Sequence, residues 1–292
     1  MTVDDLPPLR KSLSAAGLAA KKHFGQHFLL DLNICRKIAR LAGPLAGETV
    51  IEVGPGPGGL TQALLEAGAR VIAVEKDARF LPILDDLAKL APGRLTVIEG
   101  DALEVNELAI LSVHAPGRPA HVVANLPYNV GTPLLVKWLT GPFRPPTMTL
   151  MFQKEVAGRI TAPVGGRDYG RLAVLAQALC ESRIMLDLPA RAFTPPPKVH
   201  SAVVELIARP ERPSEAMIGA LQSVARHGFG QRRKMLRSAL RELGGASLCL
   251  AAGIDPDARA QSVPVAGFLA LAEALLARDA SGASRRGQSS SD

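Results

Sequence analysis

Apolar positions along this chain come in short runs of strand length, most of them followed by a stretch of helical periodicity. The runs fall at residues 50–53, 71–74, 95–98, 121–124, 148–152, 184–186 and 202–206. Between them, 60–67, 78–90, 133–139 and 172–180 place apolar side chains at the three- and four-residue intervals of a helix face. Runs without polar alternation are buried on both sides, so the pattern predicts an α/β fold, a mainly parallel sheet covered by helices. The later runs lie closer together, which leaves room for a reversed strand at one edge.

The double-proline stretch Ala208-Arg209-Pro210-Glu211-Arg212-Pro213 punctuates this pattern, and strand signals stop after it. Residues 214–227, 232–243, 246–252 and 265–277 read as helices, so a small all-helical domain is expected at 209–278. The sheet domain would span 21–208, with a flexible arm at 1–20. The Ser-, Gly- and Arg-rich end, 279–292, is expected to be disordered.

Of the 292 residues 47% are hydrophobic but only 4% aromatic, so Leu, Val, Ile and Ala must fill the core. The net charge of +7 favours an anionic partner, nucleic acid first and an anionic membrane surface second. Cys35, Cys180 and Cys249 are far apart and form no Cys-x-x-Cys pair, which argues against a disulfide framework and against a zinc site. They read as small core hydrophobes, and no metal is expected. No apolar run is long enough to cross a bilayer and the start lacks a basic-then-apolar leader, so a cytoplasmic protein is expected.

Candidate chemistry sits at the ends of the predicted strands. Gly54-Pro55-Gly56-Pro57-Gly58-Gly59 follows the first run and opens a helix, and Gly54, Gly56 and Gly59 satisfy G-x-G-x-x-G. Glu75 ends the second run, where an acid would grip ribose hydroxyls. The loop alone does not separate a nicotinamide dinucleotide from S-adenosylmethionine. Two further features do. Asp101 follows the third run, placed for an adenine amine, and the fourth ends in Asn125-Leu126-Pro127-Tyr128. That turn offers an amide oxygen, a carbonyl released from ladder duty by proline, and a stacking face. Together these describe an S-adenosylmethionine site facing a base amine.

With these motifs the chain closely resembles the KsgA-type (RsmA) family of ribosomal RNA small-subunit adenine dimethyltransferases, from about Lys21 to Ala277. The resemblance also takes in Lys22–Leu29, Phe193-Thr194-Pro195-Pro196-Pro197-Lys198-Val199 and Phe229-Gly230-Gln231-Arg232-Arg233-Lys234. It implies a Rossmann-like methyltransferase sheet with a helical C-terminal domain, acting on two adjacent adenosines near the 3′ end of small-subunit rRNA in an assembling subunit. It implies that His27, Leu29, Gly54, Glu75, Asp101 and Asn125 hold S-adenosylmethionine. Members commonly carry Asn where this chain has His27, a bulkier and titratable group.

Adenine N6 is a poor nucleophile, so the expected work of Asn125, Leu126, Pro127 and Tyr128 is positioning: accepting from the amine while Tyr128 stacks on the base. By resemblance Phe193 would close on its other face. Arg226, Arg232, Arg233, Lys234 and Arg237 concentrate cations in the helical part. Arg233, Arg237 and Arg241, at helical spacing, would present one phosphate-neutralising face. Arg10, Lys11, Lys21 and Lys22 could add a basic arm, and the glycine-rich 165–170 stretch reads as a flexible surface loop. A monomer is expected. The alternatives are a large-subunit adenine methyltransferase, a non-catalytic assembly factor, and a nicotinamide oxidoreductase, which would lack its Tyr-x-x-x-Lys proton relay here.

Overall fold

The computed structural model describes residues 26–288. The expected arm at 1–20 with Arg10 and Lys11, then Lys21, and Lys22 to Gly25 of the first motif lie outside the described residues. The strands are Phe28–Leu29 (β1), Thr49–Val53 (β2), Arg70–Glu75 (β3), Leu95–Glu99 (β4), Ala120–Asn125 (β5), Thr147–Gln153 (β6), Cys180–Leu188 (β7), Phe193–Thr194 (β8) and Ser201–Ala208 (β9). Seven of them form one sheet in the order β4-β3-β2-β5-β6-β9-β7. The first five run parallel, and β9 pairs antiparallel with β6, so the reversal falls one strand in from the edge. All five residues of β2 are buried, as the unbroken apolar run requires of a strand covered on both faces. Separately, β1 and β8 pair as an antiparallel ribbon that sets Leu29 against Phe193.

Helices Leu32–Leu41 (α1), Gly59–Glu66 (α2), Leu81–Leu90 (α3), Glu107–His114 (α4), Gly131–Thr140 (α5) and Lys154–Ile160 (α6) follow in the first part of the chain. Asp31 caps α1, its side chain accepting from the Asn33 N–H, and Cys35, Ile38 and Ala39 bury its inner face. Beyond these come Arg171–Leu179 (α7), Glu215–Gly230 (α8), Leu236–Ala239 (α9), Gly245–Ala251 (α10) and Val265–Gln288 (α11).

The described residues divide into two compact units, one running through residue 157 and including 182–208, the other made of 158–181 and 209 onward. The segment 158–179, with α7, therefore belongs to the helical unit and not, as the alternating pattern had implied, to the sheet domain, and the chain enters β7 only at Cys180. The fully buried Ala173, Val174, Leu175 and Ala176 of α7 explain this, because the helix packs on α8 and α11. The 165–170 stretch is pinned, not flexible. Gln261 Nε2 donates to the Gly166 carbonyl at 2.6 Å, and the buried Tyr169 hydroxyl donates to the Val263 carbonyl at 3.0 Å. The expected disordered end also starts too early: α11 continues to Gln288, through the helix-favouring Ala277 and Ala280. The three cysteines are free and buried, and no helix among the described residues is long and apolar enough to cross a membrane.

One buried polar cluster fixes the loop after β4. Lys137 of α5 spends its three protons on the Ala102 carbonyl (2.9 Å), the Val105 carbonyl (2.6 Å) and Glu107 Oε1 (2.9 Å). Trp138 Nε1 donates to the same carboxylate oxygen at 2.7 Å. Removing one partner leaves the others buried and under-satisfied. Lys137→Met should therefore destabilise the protein by about 2 kcal/mol in urea unfolding. An unchanged midpoint would mean that this loop is held by something else.

Candidate functional site: a carboxylate-lined crevice and a base-facing turn

Strand order reverses at β2, which has β3 on one side and β5 on the other. Connections leave β3 and β5 in opposite directions, so a crevice opens at the carboxyl ends of the strands. It is lined by five segments: 26–29 across the mouth, 52–60 after β2, 74–77 after β3, 100–102 after β4, and 125–130 after β5. His27, Leu29, Gly54, Glu75, Asp101 and Asn125 all lie on this wall, as do Leu126, Pro127 and Tyr128.

The glycine turn is needed for both conformation and space. Gly54 and Gly56 have φ of +67° and +53°, where a side chain is strained. A Cβ on Gly54 would meet Pro127 Cδ at 3.4 Å, and one on Gly56 would meet the Phe28 ring at 3.3 Å. The turn is tied to β3 by one side chain. Glu75 Oε2 accepts from the Gly56 N–H at 2.9 Å, and Oε1 accepts from the Asp77 N–H at 2.8 Å. Burial raises the Glu75 carboxyl above its ordinary value, and these two N–H groups partly offset that. Gln26 Nε2 donates to Asp77 Oδ2 at 2.9 Å, fastening the mouth segment to the same corner. Arg79 beside Asp77 holds that carboxyl down at about 2.

Asp101 is also preset. Its Oδ1 accepts from the Leu103 N–H at 2.9 Å and its Oδ2 lies 2.6 Å from Lys76 Nζ, which lowers its pKa. Sequence reasoning passed over Lys76 and, more importantly, Glu52. Glu52 is fully buried in β2, and burial, reinforced by the Glu75 charge, pushes its carboxyl up to about 8. Neither Glu52 Oε2 nor the nearby Thr61 Oγ1 has a hydrogen-bond partner among the described residues. The signal was present in the sequence: an acid inside an otherwise apolar Val-Ile-Val run.

At the end of β5 the Asn125 amide nitrogen donates to the His27 carbonyl at 3.3 Å, which leaves its oxygen as the uncommitted acceptor. The Leu126 side chain is buried, and Pro127 lies against the glycine turn. Tyr128 is half-buried, its hydroxyl 2.6 Å from Ser201 Oγ and its ring 5.4 Å from that of His27, tilted by 33°. His27 Nδ1 lies 2.8 Å from the Pro195 carbonyl, which can only accept, so Nδ1 carries the proton. Phe193 corrects the sequence-based expectation. Its side chain is 2% exposed in the core cluster around Leu29, Leu188 and Val203, and it does not line the crevice. Pairing of β8 with β1 turns it inward. The ring that accompanies Tyr128 on the crevice wall is that of His27.

A ligand's fit to this crevice can be judged from the donor set. Glu52, Glu75, Asp77 and Asp101 all present carboxyl groups at or beside it; among the described residues no Arg lines it, and the one Lys that does, Lys76, is paired with Asp101. An anionic pyrophosphate would meet like charge, whereas ribose hydroxyls, an adenine amine and a cationic amino-acid sulfonium would meet acceptors. S-adenosylmethionine fits this set, with the Glu75 and Asp101 carboxylates and the unpartnered Glu52 oxygen on one wall.

In the helical unit, a cleft of about 800 Å³ is lined by Arg226, His227, Lys234, Arg237, Arg241 and Glu242, among others. The expected helix over 232–243 is broken. The chain leaves α8 at Gly230, and the Leu236 and Arg237 N–H groups bond the Ala258 and Pro256 carbonyls at 2.8 and 2.9 Å. The three-arginine stripe therefore does not form: Arg237 and Arg241 reach the cleft and Arg233 does not. Arg232 is committed elsewhere, donating to the Tyr169 carbonyl at 2.7 Å and the Arg167 carbonyl at 3.1 Å. Arg237 pairs with Asp257 at 3.0 Å, both exposed, a contact weak enough for a phosphate to displace.

A profile of the ribosomal RNA adenine dimethylase family matches residues 17–276. A curated relative from Phenylobacterium zucineum, ribosomal RNA small subunit methyltransferase A, is 66% identical and covers 95% of this chain and 96% of the relative. A protein of the same name from Caulobacter vibrioides is 64% identical, covering 88% and 98%. Among solved structures, a dimethyladenosine transferase from Plasmodium falciparum superposes with a TM-score of 0.69 at 26% identity, covering 84% of this chain and 96% of the other. The 23S rRNA methyltransferase ErmE superposes with a TM-score of 0.64 at 27% identity, covering 85% and 99%.

Glu52 gives this site a pH signature. Between its ordinary value of 4.5 and its folded value of about 8, the unfolded chain has released a proton that the folded chain retains. Stability from this group is therefore lost as pH rises through that window. Glu52→Gln does not titrate, so its melting temperature should gain on the wild type steadily from about pH 5 to about pH 8. Parallel melting curves across that range would show that Glu52 is ionised in the folded protein.

Proposed function

The chain belongs to the ribosomal RNA adenine dimethylase family, and from that membership we propose how its own residues carry the reaction. It is an S-adenosylmethionine-dependent enzyme that dimethylates adenine N6 in small-subunit (16S) ribosomal RNA. High identity to small-subunit enzymes over nearly the whole chain favours that substrate over the large-subunit alternative. An acceptor-lined crevice beside an intact Asn125–Tyr128 turn is what a non-catalytic assembly factor would have no need to keep.

The single observation that carries the site assignment is the state of the Asn125 amide. One of its N–H groups is committed to the His27 carbonyl, which fixes the orientation of the amide and leaves its oxygen without a partner where acceptor-lined crevice and turn meet. The adenine N6 lone pair is delocalised into the ring, and the amine must leave that plane to attack. Asn125 Oδ1 and the Leu126 carbonyl accept its two N–H bonds and favour the tetrahedral geometry. Pro127 holds that carbonyl away from the sheet ladder, and Tyr128 stacks on the base. S-adenosylmethionine supplies the electrophilic methyl group. Because a paired adenine cannot reach the turn, it enters flipped out of its stack, and the pocket holds the monomethyl product for a second transfer.

RNA is held through its phosphates by Arg226, Lys234 and Arg237, joined by Arg241, while Arg233 adds an exposed charge outside the cleft. Arg232 supports this surface by fastening it to the 167–169 backbone. The enzyme acts as a cytoplasmic monomer on two adjacent adenosines near the 3′ end of the RNA in a partly assembled small subunit.

The test is methyl transfer from labelled S-adenosylmethionine to immature small subunits and, separately, to large subunits, followed by mapping of the labelled nucleotide. Label should appear on adenine N6 of the small-subunit RNA alone. Asn125→Ala, assayed at saturating cofactor, should cut the rate by about two orders of magnitude. Label in large subunits, or a near-normal rate for the variant, would overturn the assignment.

A further inference from the structure

Ser201 carries no chemistry that the reaction needs, yet it is fully buried and its Oγ lies 2.6 Å from the Tyr128 hydroxyl. It is the first residue of β9, paired across from Gln153 at the end of β6. Its backbone position is therefore set by the sheet and not by a loop. The contact links residues 73 apart in sequence. Tyr128 itself sits on the turn after β5, where nothing in the ladder fixes its ring. Among the described residues the Ser201 hydroxyl meets its far end and the His27 ring lies 5.4 Å away on the crevice wall.

We propose that Ser201 is a positioning residue for methyl transfer, acting through the Tyr128 hydroxyl to hold the ring at the angle the flipped adenine stacks on. The inference rests on the reading of Tyr128 as the stacking face. It also assigns the Tyr128 hydroxyl: it is an anchor, turned to a buried serine, and takes no part in moving protons at N6. Stacking depends on ring angle and offset. A ring free to swing about its first two side-chain bonds would still bind the base but would place N6 in line with the methyl group less often. The loss should therefore appear in kcat and leave cofactor binding untouched.

A double-mutant cycle on the full-length enzyme tests this, with small subunits as substrate and S-adenosylhomocysteine calorimetry as the control. Ser201→Ala and Tyr128→Phe should each lower kcat about fivefold, and the double variant no further than either one, because both remove the same hydrogen bond. Ser201→Thr, which keeps the hydroxyl, should restore most of the rate. Additive losses in the double variant, or Ser201→Ala and Tyr128→Phe at the wild-type rate, would overturn the role of Ser201. Tyr128→Ala separates this from the underlying reading. If it too keeps the wild-type rate, the stacking assignment itself fails; if it alone is inactive, only the Ser201 anchor does.

Discussion

Much of this site depends on one buried carboxylate accepting two backbone N–H groups. Glu75, at the end of β3, holds the glycine turn after β2 through Gly56 and its own following turn through Asp77. A strand end and a loop that would otherwise move independently become one rigid corner. The cost is a charge kept in a low-dielectric place, and the raised pKa of Glu75 reports it. Glu52, beside it and without comparable support, is raised further, to about 8. Two acids on one wall are thus raised to different extents by their surroundings alone.

The rest of the site is assembled on that corner. Gly54 lies against Pro127, which brings the Asn125–Tyr128 turn up to the glycine turn. The segment that leads into β1 lines the same crevice. It places His27 where its carbonyl takes the Asn125 nitrogen and its ring meets Tyr128. At the other end, Lys137 pins the loop carrying Asp101. The carboxylates proposed for the cofactor and the amide proposed for the base are therefore fixed by different strands of one sheet, which suits a reaction that is mostly alignment.

The sheet was legible because its strands are unbroken Val, Ile and Leu runs between helical stretches, and all seven runs became strands. The crevice was legible because glycines and acids at strand ends carry a mechanism. The helix over α1 was overlooked although Asp31 followed by Ile34, Cys35, Ile38 and Ala39 is a readable cap and face. What the sequence does not contain is the direction a side chain takes once distant segments pair. Phe193 turned into the core because β8 met β1, and Ser201 reached Tyr128 only through the sheet. Arg232 was spent on a loop it cannot be seen to approach in sequence, and 158–179 joined the helices through packing alone.

The central claim is that a cradle of carboxyl acceptors selects an adenosyl amino-acid ligand over one that carries a pyrophosphate, and calorimetric titration addresses it directly. S-adenosylmethionine and S-adenosylhomocysteine should bind the wild-type protein and the oxidised nicotinamide dinucleotide should not. Glu75→Ala should weaken both by at least about tenfold, the loss of charge-assisted bonds to the ribose hydroxyls. Binding of the dinucleotide with comparable affinity, or undiminished binding to Glu75→Ala, would contradict the account.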